Sequence, residues 1–383
     1  MIVSEDEGNY NMQFIPVNTP LLDGNEKRYL SECIDTGWIS SEGAFVKKLE
    51  KEFSAYTGQK YGSCVANGSV AIDVALRAMK EVYGWQDNDE IIVPNFTIMS
   101  TAQSVVYNNL KPVFVDAEPI TWNIDTSKIE EMITPKTRAI MVVHIYGLPT
   151  DMDKIFELAQ KYNLKIIEDS AQAHGQTYRD KKCGGMSDIS TFSFYANKHI
   201  ACGEGGMVMT SSDELIEKIN YFKNLCFSKD RFVHYDLGWN FRMSNLQAAV
   251  AYAQFEKLDK SIEKKKIMGA RYQELLKGIP AQLPLPKTDY AENNYWVFGL
   301  VLNDDVKFNA KEAMQKLADK GIGCRPFFYP LNEQPVFRKL GISDNLKRPV
   351  SSRLYERGFY IPSGLGLTDA DMDRVVKEVR SLF

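Results

Sequence analysis

The chain has 383 residues, 44% hydrophobic and 25% charged, an ordinary globular composition long enough for two domains. Lysine and arginine number 46 against 50 acidic residues, and the net charge of −4 leaves no basic excess for nucleic acid or an anionic membrane, so neither is expected as a partner. No apolar run approaches the ~20 residues that span a bilayer, and six scattered cysteines without a CxxC pair or zinc spacing imply reduced thiols, no metal and a cytoplasmic setting.

The start, MIVSEDEGNYNMQF, is acidic and polar, which is not the pattern of a signal peptide. Residues 1–13 read as an extension, either disordered or preceding a later start at Met12. From about Phe45 to Thr210, short β-rich runs alternate with helical stretches. The runs predict strands at Gly62–Val65, Ile91–Val93, Val113–Val115, Ala139–Val143, Leu164–Ile167, Ser190–Phe194 and Met207–Thr210. Helical periodicity fits Ser69–Val82, Thr101–Tyr107, Lys154–Lys161 and Asp213–Lys223. Continuous apolar strands separated by helices predict an α/β fold with a mostly parallel sheet covered on both faces. A long helix is expected from Asn245 to about Leu276, with Lys264-Lys265-Lys266 on a solvated face. Beyond Ile279, a strand at Tyr295–Leu302 and helices at Ala310–Lys320 and Asp369–Leu382 predict a smaller α+β unit. The expected division is 14–258 for the large domain and 259–383 for the small one.

In a parallel sheet, ligands bind beyond the carboxyl ends of the strands. Three segments there carry chemistry. Asn67-Gly68-Ser69 joins a strand to a helix through small residues, a turn able to hold a phosphate, although Asn-Gly turns and serine caps are common without one. Asp169 follows an apolar strand within Glu168-Asp169-Ser170-Ala171-Gln172 and could meet a cofactor ring nitrogen or simply cap a turn. Lys198 lies between a strand end and Gly203-Glu204-Gly205-Gly206, an unusual place for a residue that normally sits on solvated faces. Near a phosphate and a cofactor cation its pKa would fall toward that of a nucleophile.

Together these segments, with Pro20, Gly37-Trp38-Ile39-Ser40 and Gly238-Trp239-Asn240-Phe241-Arg242-Met243, resemble the sugar aminotransferases of the DegT/DnrJ/EryC1/StrS family over nearly the whole chain. The resemblance implies the pyridoxal phosphate-dependent aspartate aminotransferase fold (fold type I). It makes Lys198 the residue that forms a Schiff base with the cofactor and then moves protons, and Asp169 the partner of the pyridinium nitrogen. Phe96 would stack on the ring, Gln172 would lie near its phenolic oxygen, and Gly68, Ser69 and Ser193 would hold the phosphate. Asn240 would reach the phosphate of a neighbouring subunit, implying a homodimer with shared active sites. The expected substrates are glutamate and a nucleotide-linked keto-deoxysugar, in the service of surface-polysaccharide assembly.

Within the family, Trp38-Ile39-Ser40-Ser41, His144-Ile145-Tyr146-Gly147 and Arg325-Pro326-Phe327-Phe328 resemble the branch acting on GDP-4-keto-6-deoxymannose. That makes Trp38, His144, Tyr146, Arg325 and Phe328 candidate substrate residues, with a buried hydrogen-bonded pair and a surface turn as the structural alternatives for His144–Tyr146 and Arg325. Gln172 and Ala201-Cys202 depart from that branch, which keeps a UDP- or dTDP-linked keto sugar or a small keto phosphate open. A dehydratase of the same fold, with histidine in place of the lysine, would need His199 to slip by one residue into the position of Lys198.

Overall fold

The computed structural model describes residues 13–383 apart from Arg231 and Asn345, so the extension expected over 1–13 lies, but for Gln13, outside the described residues. Seven strands form the central sheet: β1 (Tyr61–Val65), β2 (Glu90–Pro94), β3 (Lys111–Val115), β4 (Thr137–Val143), β5 (Lys165–Asp169), β6 (Ile189–Ser193) and β7 (Gly206–Thr210). Their order is β1-β7-β6-β5-β4-β2-β3. β2 through β6 pair in parallel, and β7 runs antiparallel between β1 and β6. Each strand overlaps its expected run.

The apolar runs explain the layering. Ile91 and Val93 of β2 join the core beneath the helix α3 (Gly68–Tyr83), whereas Ile92 joins the core beneath α5 (Met152–Tyr162). Successive strand side chains alternate faces, so a strand apolar throughout has to be covered on both. The remaining helices of this unit are α1 (Glu26–Thr36), α2 (Ala44–Thr57), α4 (Met99–Tyr107) and α6 (Asp213–Lys223).

The long helix expected from Asn245 is two helices, α7 (Asn245–Phe255) and α8 (Leu258–Leu275). The break has a long-range cause. Glu256 accepts hydrogen bonds from Tyr29 (2.7 Å) and Asn25 (2.8 Å), and Lys257 pairs with Glu26 (3.2 Å), so the start of α1 anchors the joint. The lysine run also departs from expectation: Lys264 is exposed, but Lys265 is buried.

A second sheet has the order β8-β9-β11-β10, all antiparallel, from β8 (Ala281–Gln282), β9 (Phe298–Leu302), β10 (Arg325–Pro326) and β11 (Gly358–Ile361). It packs with α8, α9 (Ala310–Ala318) and α11 (Asp369–Arg380), while α10 (Pro349–Arg357) lies across β9 and β11. The chain's beginning contributes too: Ile15 bridges to Ile322 and joins this second core.

Candidate active site

At the carboxyl ends of β1, β5 and β6 lies a cavity of about 550 Å3. Gly68, Ser69, Asp169, Gln172, Ser193, Lys198 and Phe328, all expected site residues, line it together. A wider depression of about 790 Å3 lies at the opposite, amino ends of the strands. Its cations Arg138 and Lys165 are each paired with a carboxylate.

One end of the cavity gathers hydrogen-bond donors at a helix start. Two residues separate the end of β1 from the start of α3, and the Asn67 side chain accepts the Val70 N–H at 3.0 Å. The N–H groups of Gly68 and Ser69 precede the first intrahelical bonds and carry the positive end of the helix dipole. A Cβ at position 68 would sit 2.6 Å from the Ser193 Cβ, so glycine alone allows this approach of helix to strand. The same approach brings the Ser69 and Ser193 hydroxyls to the helix end, a donor set suited to a phosphate dianion.

Deeper in, Asp169 ends β5 with its carboxylate buried. It accepts hydrogen bonds from the Ala171 N–H (3.2 Å) and the Thr101 hydroxyl (3.3 Å). Burial raises its pKa above the ordinary value; those two donors and the charge of Lys198 offset this only in part. A cationic ring N–H placed here would supply the missing partner. Beside it, Gln172 accepts the Tyr146 N–H at 2.7 Å, which commits its carbonyl and leaves its amide N–H2 as a donor for the cavity.

Lys198 stands on the turn after β6, its own N–H bonded to the Tyr195 carbonyl at 2.9 Å. Its ammonium nitrogen lies 3.7 Å from the centroid of the Trp296 ring, whose indole N–H donates to the Asn197 carbonyl at 2.9 Å. The residue keeps some surface open to the cavity, but its amine is enclosed, and burial pushes its pKa down to about 7 against the opposing pull of Asp169. A free amine is therefore available at neutral pH. A phosphate cradle, a buried carboxylate and an uncharged amine in one cavity fit pyridoxal phosphate.

Several expectations are corrected. Phe96 is fully buried and packs against Tyr146 (5.9 Å), Phe327 (5.6 Å) and Phe328 (5.6 Å), behind the cavity wall and outside its lining. An apolar niche captured the ring, and Ile98, at the start of α4, faces the cavity instead. His144 is also sealed off: its Nε2 lies 3.0 Å from Glu168, and its Nδ1 accepts the Thr150 N–H at 3.2 Å. Glu168 additionally accepts from the Gly184 and Met186 N–H groups and the Ser187 hydroxyl. Burial alone would raise its pKa, but His144 and these donors hold it below the usual range. Tyr146 is buried as well, at φ 55°, and reaches the cavity through its neighbours: its N–H holds Gln172 and its ring packs on Phe328 (5.4 Å). Of the expected substrate residues only Phe328 lines the cavity. Trp38, Arg325 and Asn240 are exposed outside the lining of this chain's cavity.

Sequence reading missed Ile98, Asn197, Trp296 and Tyr360 on the lining and Thr101 on Asp169. Trp296 and Tyr360 come from the second unit, and nothing local in sequence marks which of its aromatics face the first.

Residues 20–380 match the family described as the DegT/DnrJ/EryC1/StrS aminotransferase family. GDP-perosamine synthase of Caulobacter vibrioides is 39% identical over 364 residues, which cover 94% of this chain and 96% of that protein. GDP-perosamine synthase of Vibrio cholerae is 35% identical over 96% of this chain and 99% of its own. Among solved structures, Helicobacter pylori PseC, an aminotransferase involved in the biosynthesis of pseudoaminic acid, superposes with a TM-score of 0.90 at 23% identity, covering 97% of this chain and 99% of its own.

Proposed function

We propose a function from one premise: the chain belongs to the DegT/DnrJ/EryC1/StrS aminotransferase family. It is a pyridoxal phosphate-dependent aminotransferase of fold type I. Our reading is that it transfers the amino group of glutamate to GDP-4-keto-6-deoxymannose, giving GDP-perosamine. The names of two relatives aligned along nearly their full length support that choice of sugar. The observation that carries the reaction class is the meeting of the Lys198 amine and the Asp169 carboxylate in one cavity beside the start of α3.

Pyridoxal phosphate, when bound, supplies an aldehyde carbon that carries the amino group and a ring that accepts electrons. The chain's own residues do the rest. The Gly68 and Ser69 N–H groups, with the Ser69 and Ser193 hydroxyls, fix the phosphate. Asp169 would keep the ring nitrogen protonated, and the Gln172 amide would be free to donate to the ring's phenolic oxygen. Lys198, its amine pKa drawn down to about 7 by burial, would anchor the cofactor, and its Nζ would be the group that takes the proton from the donor's α-carbon and gives one to the sugar carbon. Trp296 and Phe328 wall this space against water.

The dehydratase reading finds no support in the cavity. Lys198 lines it, whereas the His199 ring is buried and lies outside its lining.

The active unit is a homodimer with shared sites. Asn240 lies on the surface beyond Tyr235 and Leu237, which are 76% and 90% exposed, and this outward apolar stretch suits burial against a second copy. The setting is the cytoplasm and the product serves a surface polysaccharide; six unpaired cysteines support a reducing compartment, and among the described residues no helix is long and apolar enough to cross a membrane.

A glutamate-dependent assay with GDP-4-keto-6-deoxymannose, with the product read by mass, tests the reading. It predicts a GDP-4-amino-4,6-dideoxy sugar. Conversion of a UDP- or dTDP-keto sugar alone would move the assignment to another branch.

A further inference from the structure

Lys265 turns inward from α8 and is 2% exposed. Its ammonium donates to the Ser363 carbonyl, and no carboxylate among the described residues pairs with it. A second and much smaller cavity is lined by Asn197, Lys198, His199 and Lys265, with Thr19 and Trp296 beside them. It has about 10 Å3 open to the centre of a water molecule, the room that one water needs. The Asn197 Oδ1 and both ring nitrogens of His199 are buried without a partner among the described residues. Buried polar atoms are nearly always hydrogen-bonded, so orphaned groups around a one-water space point to a polar occupant.

We infer that this chamber holds one water joining Lys198 to His199 and Lys265, and that the latter two are positioning residues that govern the proton on the Lys198 amine. The inference rests on the reading of Lys198 as the reacting amine. A proton leaving Lys198 Nζ passes to the water, which hands one of its own to Lys265 Nζ; the reverse transfer restores the start, and no proton is gained or lost. Burial pulls both lysines down to about 7, which matches donor and acceptor for such an exchange. Burial, with the charges of Lys265, His174 and Lys198, holds His199 far below its usual value, so its neutral ring offers the water one donor and one acceptor. Other groups also face Lys198. Asp169 opposes loss of its proton, His174 lies near enough for the Lys198 charge to help lower its own pKa, and Glu204, Tyr195 and Tyr360 share the main cavity.

Two measurements on the full-length, cofactor-free chain test this. Reaction of Lys198 with an amine-directed reagent across pH, read by peptide mass spectrometry, gives the midpoint of the amine. Lys265→Met keeps the burial but removes the second amine; the Lys198 midpoint should rise by about half a pH unit or more. His199→Asn should shift it as well, and the acid limb of kcat/KM should follow in both variants. Unchanged midpoints in both would overturn the inference. A high-resolution crystal structure of the wild-type chain should show a water within hydrogen-bond distance of His199 and Lys265. A dry chamber would overturn it even if neither variant folded. Neither the labelling nor the density depends on turnover, so a failed sugar assay would count against the proposed substrate and not against the chamber.

Discussion

A lysine amine enclosed without a contacting carboxylate is costly, and among the described residues Lys198 and Lys265 are in that position. For Lys265 the folded pKa of about 7 lies below the unfolded value of about 10.4. Below pH 7 both states hold the proton and the penalty is complete; between pH 7 and about 10.4 the unfolded chain binds more protons, so stability rises with pH. Lys265→Met should therefore raise stability at pH 7 by on the order of 1–3 kcal/mol, after allowing for the lost Ser363 hydrogen bond, with the gain shrinking toward pH 10. Urea midpoints of both proteins at pH 7 and pH 10 would show it; an equal difference at the two pH values would refute the titration. Asp169→Asn should leave the fold intact and cut turnover about 10²–10³-fold, because a neutral amide no longer stabilises a cationic ring. Near-normal turnover would contradict that role. Asp169 and Lys198 were legible because a carboxylate after an apolar strand and a lysine before a glycine turn are unusual in themselves. Lys265 was not, since a buried lysine and two outer ones spell the same run of three as a solvated face. Phe96 misled because its residue type suited the role, and only packing shows that Tyr146, Phe327 and Phe328 hold it elsewhere.

Between elements, the meeting of α3 with β6 shapes the phosphate end of the cavity. Gly68→Ala would place a methyl 2.6 Å from Ser193 Cβ, with the Ser193 Oγ 3.0 Å away, and the helix start must retreat. Cofactor affinity should fall by about tenfold or more, roughly the worth of one charge-assisted hydrogen bond, in a fluorescence titration with pyridoxal phosphate. Unchanged affinity would mean that the N–H groups at this helix start do not hold the phosphate. Strands such as β2 and β4 could be read directly because they are apolar runs that both sheet faces bury. The two-residue strands β8 and β10 have no room for a period, and they form only because longer strands beside them offer an edge. The break between α7 and α8 was hidden for another reason: Glu256 and Lys257 are good helix residues, held out of the helix by partners more than two hundred positions away.

For the molecule as a whole, the cavity draws Trp296, Phe328 and Tyr360 from the second unit onto the strand ends of the first, so the site needs both. Our dimer reading adds a contribution from a second copy through Asn240. Lys198→Ala and Asn240→Ala subunits mixed into verified heterodimers should recover a measurable part of wild-type activity, since one site per dimer would then lack both lesions. Heterodimers as inactive as either parent would contradict shared sites. The most direct test of the central claim is a single half-reaction: glutamate mixed with cofactor-loaded enzyme, with 2-oxoglutarate quantified per active site. The wild type should release about one equivalent and Lys198→Ala none, with a borohydride-trappable cofactor adduct on Lys198 in the wild type alone. Stoichiometric 2-oxoglutarate from Lys198→Ala, or an adduct on a different residue, would contradict it.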